Sequence, residues 1–153
     1  MNRVWGIYLL SLTLAALLNG CSGTQADDKL AGIEGLAECP QRPNCVSSEA
    51  RDARHAIAPM QLKGAATGGW DVVRKVVGDL PRTTIVAETD RYLHAECTSR
   101  LFGFIDDLEL QLDPETGVIA VRSASRIGYS DLGVNRRRVE NLRAELKKNG
   151  VIH

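Results

Sequence analysis

Apolar and polar positions change period several times along this chain. The first stretch has no period: after Met1, Asn2 and Arg3, residues Val4 to Leu18 are almost wholly apolar and close on Leu18-Asn19-Gly20-Cys21. Ser22 to Glu38 is small and polar, the composition of a tether, and Cys39 to about Met60 is broken by Pro40, Pro43 and Pro59 and reads as irregular. A helical period then begins. Trp70, Val73, Val77 and Leu80 share one stripe, Val76 widens it, and Pro81 ends it. Strands are expected at Thr83–Glu88, rich in β-branched residues, and at Arg91–Ser99, with Thr89-Asp90 as the turn between them. Asp107 to Leu112 alternates, with Leu108, Leu110 and Leu112 on one face and Asp107, Glu109 and Gln111 on the other. Asp113-Pro114-Glu115-Thr116-Gly117 has the composition of a turn, and Val118–Ser125 is the next strand.

Short links between consecutive strands predict antiparallel pairing. The last element is a helix over Asn135–Lys148, with Asn135 as N-cap, Val139, Leu142 and Leu146 on its inner side and Gly150 at its C-cap. The expected fold class is α+β, in the order helix, four strands, helix. A four-stranded antiparallel meander carries both helices on one apolar face, preceded by the irregular Cys/Pro segment. The organisation that follows is a leader over 1–20, a flexible tether over 21–38 and a single α+β domain over 39–153.

The opening apolar run is about fifteen residues, short of the roughly 20 that a spanning helix needs. A basic start, an apolar run and small residues before a cysteine form a bacterial lipoprotein signal peptide, with lipidation expected on Cys21. Two or more acyl chains, palmitate among them, anchor a protein stably where a single chain does not. Ser22, in place of an Asp that would retain the protein at the inner membrane, points to the periplasmic face of the outer membrane. Outside the cytoplasm disulfides persist. Cys39 and Cys45 bracket a proline-stiffened loop and are the expected pair, leaving Cys97 as a buried thiol; pairing of Cys97 with Cys39 or Cys45 is the rival arrangement. The cysteine spacing and the lack of an accompanying histidine pair predict no metal site, and no cofactor motif is present. The 19 basic and 19 acidic residues balance, which gives no nucleic-acid footprint.

Arg136, Arg137 and Arg138 open the last helix, where cations oppose the macrodipole. Such residues need partners. These are either carboxylates of this chain, with Glu96, Asp106, Asp107, Glu109 and Asp131 as candidates, or a bound anion gripped by guanidinium forks. Arg122 and Arg126 belong to the same set, with Ser130 and Asn135 beside it. Strand period sends Asp106 to the face opposite Asp107 and Glu109, which favours salt bridges over a shared cation. His55 with Asp52 is expected to make a structural hydrogen bond, and His94 to face solvent. The serines lack a nucleophile-elbow context.

One long pattern ties these segments together: Cys39-Pro-x-x-Pro-Asn-Cys45-Val-Ser-Ser48, Asp52-x-x-His55-x-Ile57-x-Pro59 and Pro81-Arg82. It continues through Glu96-x-Thr98-Ser99-Arg100-Leu101-Phe102-Gly103-Phe104-Ile105-Asp106-Asp107-x-Glu109 and ends with Arg122 to Val139. In this the chain resembles the domain-of-unknown-function family numbered fourteen ninety-nine. The resemblance implies a small extracytoplasmic or organellar domain and supplies no substrate, cofactor or catalytic residue.

Three functions fit. The first is a non-catalytic module, held to the membrane through Cys21, that binds an anionic or amphiphilic small molecule or an envelope protein. The second is a hydrolase or lyase using Glu96, Asp107 or His55, which requires those side chains to converge. The third is a structural envelope assembly factor, which requires an exposed apolar patch.

Overall fold

The computed structural model describes residues 35–153; the leader, Cys21 and most of the tether lie outside the described residues. Eight elements follow: β1 (Cys45–Ser47), β2 (Met60–Gln61), α1 (Ala66–Gly78), β3 (Thr83–Glu88), β4 (Tyr92–Thr98), β5 (Ile105–Leu112), β6 (Val118–Ser125) and α2 (Val134–Lys148). The architecture is α+β, but the sheet has six antiparallel strands rather than four. β3 to β6 form the expected meander, in spatial order β6-β5-β4-β3. β1 and β2 come from the segment expected to be irregular and both pair with β6, Val46 opposite Ser123 and Met60 opposite Ile119. Strands of three and two residues are too short to display a period, so the prolines around them dominate the pattern.

Register fixes which side chains share a face. Leu93, Leu110 and Val121 lie side by side across β4, β5 and β6, as do Ala95, Leu108 and Ser123. These leucines are fully buried beneath Trp70, Val73 and Val77 of α1 and Val139, Leu142 and Leu146 of α2, so both helices cover the same face. Each fully buried Leu or Val contributes on the order of 1.5–3 kcal/mol. The Trp70 indole N–H, which cannot be left unbonded in such a core, donates to the Thr89 carbonyl at 3.3 Å.

α1 ends at Gly78, before Leu80, and β3 carries a bulge between Ile85 and Ala87, where Val86 is exposed. Cys39 and Cys45 form the disulfide, and Cys97 is a buried free thiol whose pKa burial pushes up, the state of an unreactive cysteine. Packing begins before Cys39: Leu36 is buried and its N–H donates to Glu49. No helix among the described residues is long and apolar enough to cross a membrane.

Candidate functional site

Three polar groupings and one apolar groove surround the sheet. The first grouping lies on the face without helices, where register places Glu96 beside Asp107 and His94 beside Glu109, itself opposite Arg122. Arg126 grips Asp107 with Nε and Nη2, at 3.1 and 2.8 Å, and also donates to Glu96. Arg122 pairs with Glu109, which also accepts from the Tyr92 hydroxyl at 2.9 Å. His94 Nε2 lies 2.7 Å from Asp107 Oδ1 and is half-buried rather than solvent-facing, because the neighbouring strand supplies a carboxylate. Burial raises the Asp107 pKa, but the hydrogen bonds from Arg126 and His94 outweigh it and hold the carboxyl below its usual range. Burial, then the Glu109 charge, push the Tyr92 phenol upward.

The second grouping is buried where β5, β6, α2 and the disulfide loop meet. Asn135 is not the N-cap. It lies inside α2 with 0% exposure, and its Nδ2 donates to the Asn44 carbonyl and to Ser125 Oγ, both at 3.0 Å. Its Oδ1 accepts from Ser123 Oγ at 2.7 Å and from Arg138, which also pairs with Asp106. This tertiary demand for an amide outweighs the capping preference. Capping falls to Asp131, whose two carboxylate oxygens accept from the N–H groups of Gly133 and Asn135 at 2.9 and 2.7 Å. Gly133 makes the turn at φ +78°, where a Cβ would come within 3.2 Å of Arg137 Nη1.

The third grouping clamps the Cys/Pro segment. His55 is buried between Asp52 (Nδ1, 2.9 Å) and the Arg42 carbonyl (Nε2, 3.1 Å), and its hydrogen bond holds the Asp52 carboxyl below its usual range. Arg136 donates to the Ala56 and Arg54 carbonyls, and Arg143 to those of Pro59 and Ala58. Helix α2 therefore holds this segment through backbone carbonyls.

The groove lies at the end of the sheet where the β4–β5 link faces the β6–α2 link. It is an open hollow of about 490 Å³ with walls from Leu101, Phe102, Phe104, Ile127, Leu132 and Val134. They include the three most water-exposed large apolar side chains among the described residues: Leu132 is 84% exposed, Leu101 83% and Phe102 74%. Tyr129, on the same link, is 72% exposed. Phe102 and Phe104 stack with centroids 5.4 Å apart. Asp106, Ser125, Ser130 and Asp131 supply polar lining.

The arginines expected to hold an anion are mostly occupied. Arg122, Arg126 and Arg138 bind carboxylates, and Arg136 binds backbone carbonyls. Among the described residues the Arg137 side chain donates only to the Leu132 carbonyl, at 3.0 Å. Ser130, through Oγ, caps the Leu132 N–H at the groove. Glu96 and Asp107 share Arg126, while His55 bonds Asp52 and Arg42, so the three proposed acid–base residues do not converge. Reading the sequence missed the groove. Its signal is Leu101-Phe102-Gly103-Phe104, three large apolar residues in a link too short to fold back over them.

Neither curated proteins nor solved structures gave a match. A family model described as a protein of unknown function (DUF1499) matches residues 35–146, from the entry of the chain into the domain to the last buried leucine of α2. That span takes in the disulfide loop, the Asn135 hub and both walls of the groove, and the chain belongs to the DUF1499 family.

Proposed function

We propose that the protein is a non-catalytic module, lipid-anchored through Cys21 at the periplasmic face of the outer membrane, that binds an amphiphilic ligand in the apolar groove. The observation that carries this reading is the groove itself. Monomeric proteins rarely leave a contiguous apolar patch in water without a use for it. Its volume of about 490 Å³ lies within the span of roughly 300–1,000 Å³ typical of small-molecule sites. A few polar groups in the lining of an apolar trough suit a ligand with a tail and a head. The acid–base alternative is weakened by the dispersal of Glu96, Asp107 and His55. The assembly-factor alternative shares the apolar patch, but a concave shape favours a small molecule over a flat partner. The anchor rests on the leader and Cys21.

The test is native mass spectrometry of the protein purified from membranes in a mild non-ionic detergent. The expected result is a retained amphiphile that is lost in the Phe102→Ser variant. A bare chain mass from every extract would refute ligand binding. Palmitate labelling that persists after Cys21→Ser would refute the anchor.

A further inference from the structure

Beside the groove, and sharing Ser99, Arg100 and Val134 with it, lies a second hollow of about 410 Å³ between the start of β3 and the first turns of α2. Four arginines line it, Arg82, Arg100, Arg137 and Arg138, and no Asp or Glu among the described residues does. Only Arg138 has its charge balanced, by Asp106. Arg82 and Arg137 donate to the carbonyls of Thr98 and Leu132, which accept a hydrogen bond without neutralising charge. Arg100, on the boundary between the hollows, is exposed and has no hydrogen-bond or ion-pair partner among the described residues. On the groove side both lining carboxylates are already engaged, Asp106 by Arg138 and Asp131 by the α2 N–H groups. The boundary is therefore electropositive on one side and apolar on the other.

The backbone adds an independent sign. Two non-glycine residues among those described adopt the left-handed conformation, Arg82 at φ 56° and Leu132 at φ 53°, and each lines one of the hollows. Such strain collects at ligand sites where the surrounding structure enforces it.

We infer that the two hollows form one bipartite site for a single anionic amphiphile, its acyl chain in the groove and its phosphate-type head against Arg100, Arg137 and Arg82. This rests on the amphiphile reading above and adds the charge of the head and the residues that read it. Guanidinium forks match phosphate oxygens and keep their charge at any physiological pH. Charge complementarity selects an anionic head over a neutral one, and a concave hollow of about 490 Å³ suits one chain better than a bilayer surface.

The test uses the chain from Ser22 onward, which holds every described residue, the buried core and the disulfide among them. Octyl, decyl and dodecyl phosphate, each below its micelle concentration, are titrated calorimetrically beside a neutral dodecyl maltoside and beside vesicles of anionic phospholipid. Affinity for the alkyl phosphates is expected to rise about four- to fifteen-fold per two added methylenes, the upper figure being full burial. Dodecyl phosphate should bind about tenfold or more tightly than the maltoside, and Arg100→Gln should erase that preference while Arg100→Lys keeps part of it. Equal binding of phosphate and maltoside would overturn the anionic head and leave amphiphile binding standing. No binding of either would overturn both. Binding to vesicles without binding to monomers would overturn the single-chain site in favour of a bilayer surface. The head-group comparison on the unaltered chain decides the matter even if a variant fails to fold.

Discussion

The open face of the sheet and the loop end of the sheet are both rich in arginine, and they use it in opposite ways. On the open face every guanidinium meets carboxylates, Arg122 with Glu109 and Arg126 with Asp107 and Glu96. At the loop end, among the described residues, Arg82 and Arg137 meet only carbonyls and Arg100 meets nothing. Leucine divides in the same manner: Leu93, Leu108 and Leu110 are fully buried, while Leu101 and Leu132 stand in water. One region spends its charges and its apolar side chains on folding. The other leaves both unsatisfied, which is how a binding surface differs from a scaffold.

The sharpest way to break this comparison is at the seam between the two regions. Asp106→Ala would leave the largely buried Arg138 guanidinium unpaired and should cost about 3–5 kcal/mol in denaturant unfolding. Removing the disulfide with Cys39→Ser and Cys45→Ser should cost about 2 kcal/mol, the closure entropy of so short a loop. On the open face, Tyr92→Phe should cost about 1.5 kcal/mol by the same measurement, since one hydrogen bond to the Glu109 carboxylate is lost. Leu132→Gly, at the loop end, should raise stability by about 0.5 kcal/mol, relief of left-handed strain exceeding the entropy returned to the unfolded chain, while weakening ligand binding. A loss of stability there as large as at Asp106 would erase the distinction between scaffold and site.

Acid sharpens the same contrast. The Asp107 pKa is lower in the folded protein than in the unfolded chain, so its stabilisation is fully present above the ordinary carboxylate range, near 4. It is lost as pH falls through the depressed folded value. Unfolding followed against pH should show this loss, and Asp107→Asn should flatten it.

What could be read from the sequence follows the strength of each period. The alternation of Leu108, Leu110 and Leu112 and the spacing of Val139, Leu142 and Leu146 reflect burial on one side only, and those elements stand where expected. β1 and β2 were illegible because their pairing depends on β6, a partner some sixty to eighty residues away in the chain. Asn135 was misread because an amide at a helix start has two uses, and only the positions of Asn44, Ser123 and Ser125 show which one applies. The carboxylates of the polar network were recognisable as arginine partners, but the assignment of each to its arginine waited on register. The groove was hidden for a different reason: an apolar residue looks the same in sequence whether it fills a core or projects from a link.

The bulge at Val86 has a consequence for life among neighbours. β3 is the outermost strand on its side of the sheet, and a straight strand there would offer an unbroken ladder of amides to any extended chain that passed. The extra residue throws that ladder out of step, so a docking strand finds no continuous register to copy. Deleting Val86 would straighten the border and should favour strand-to-strand association between copies.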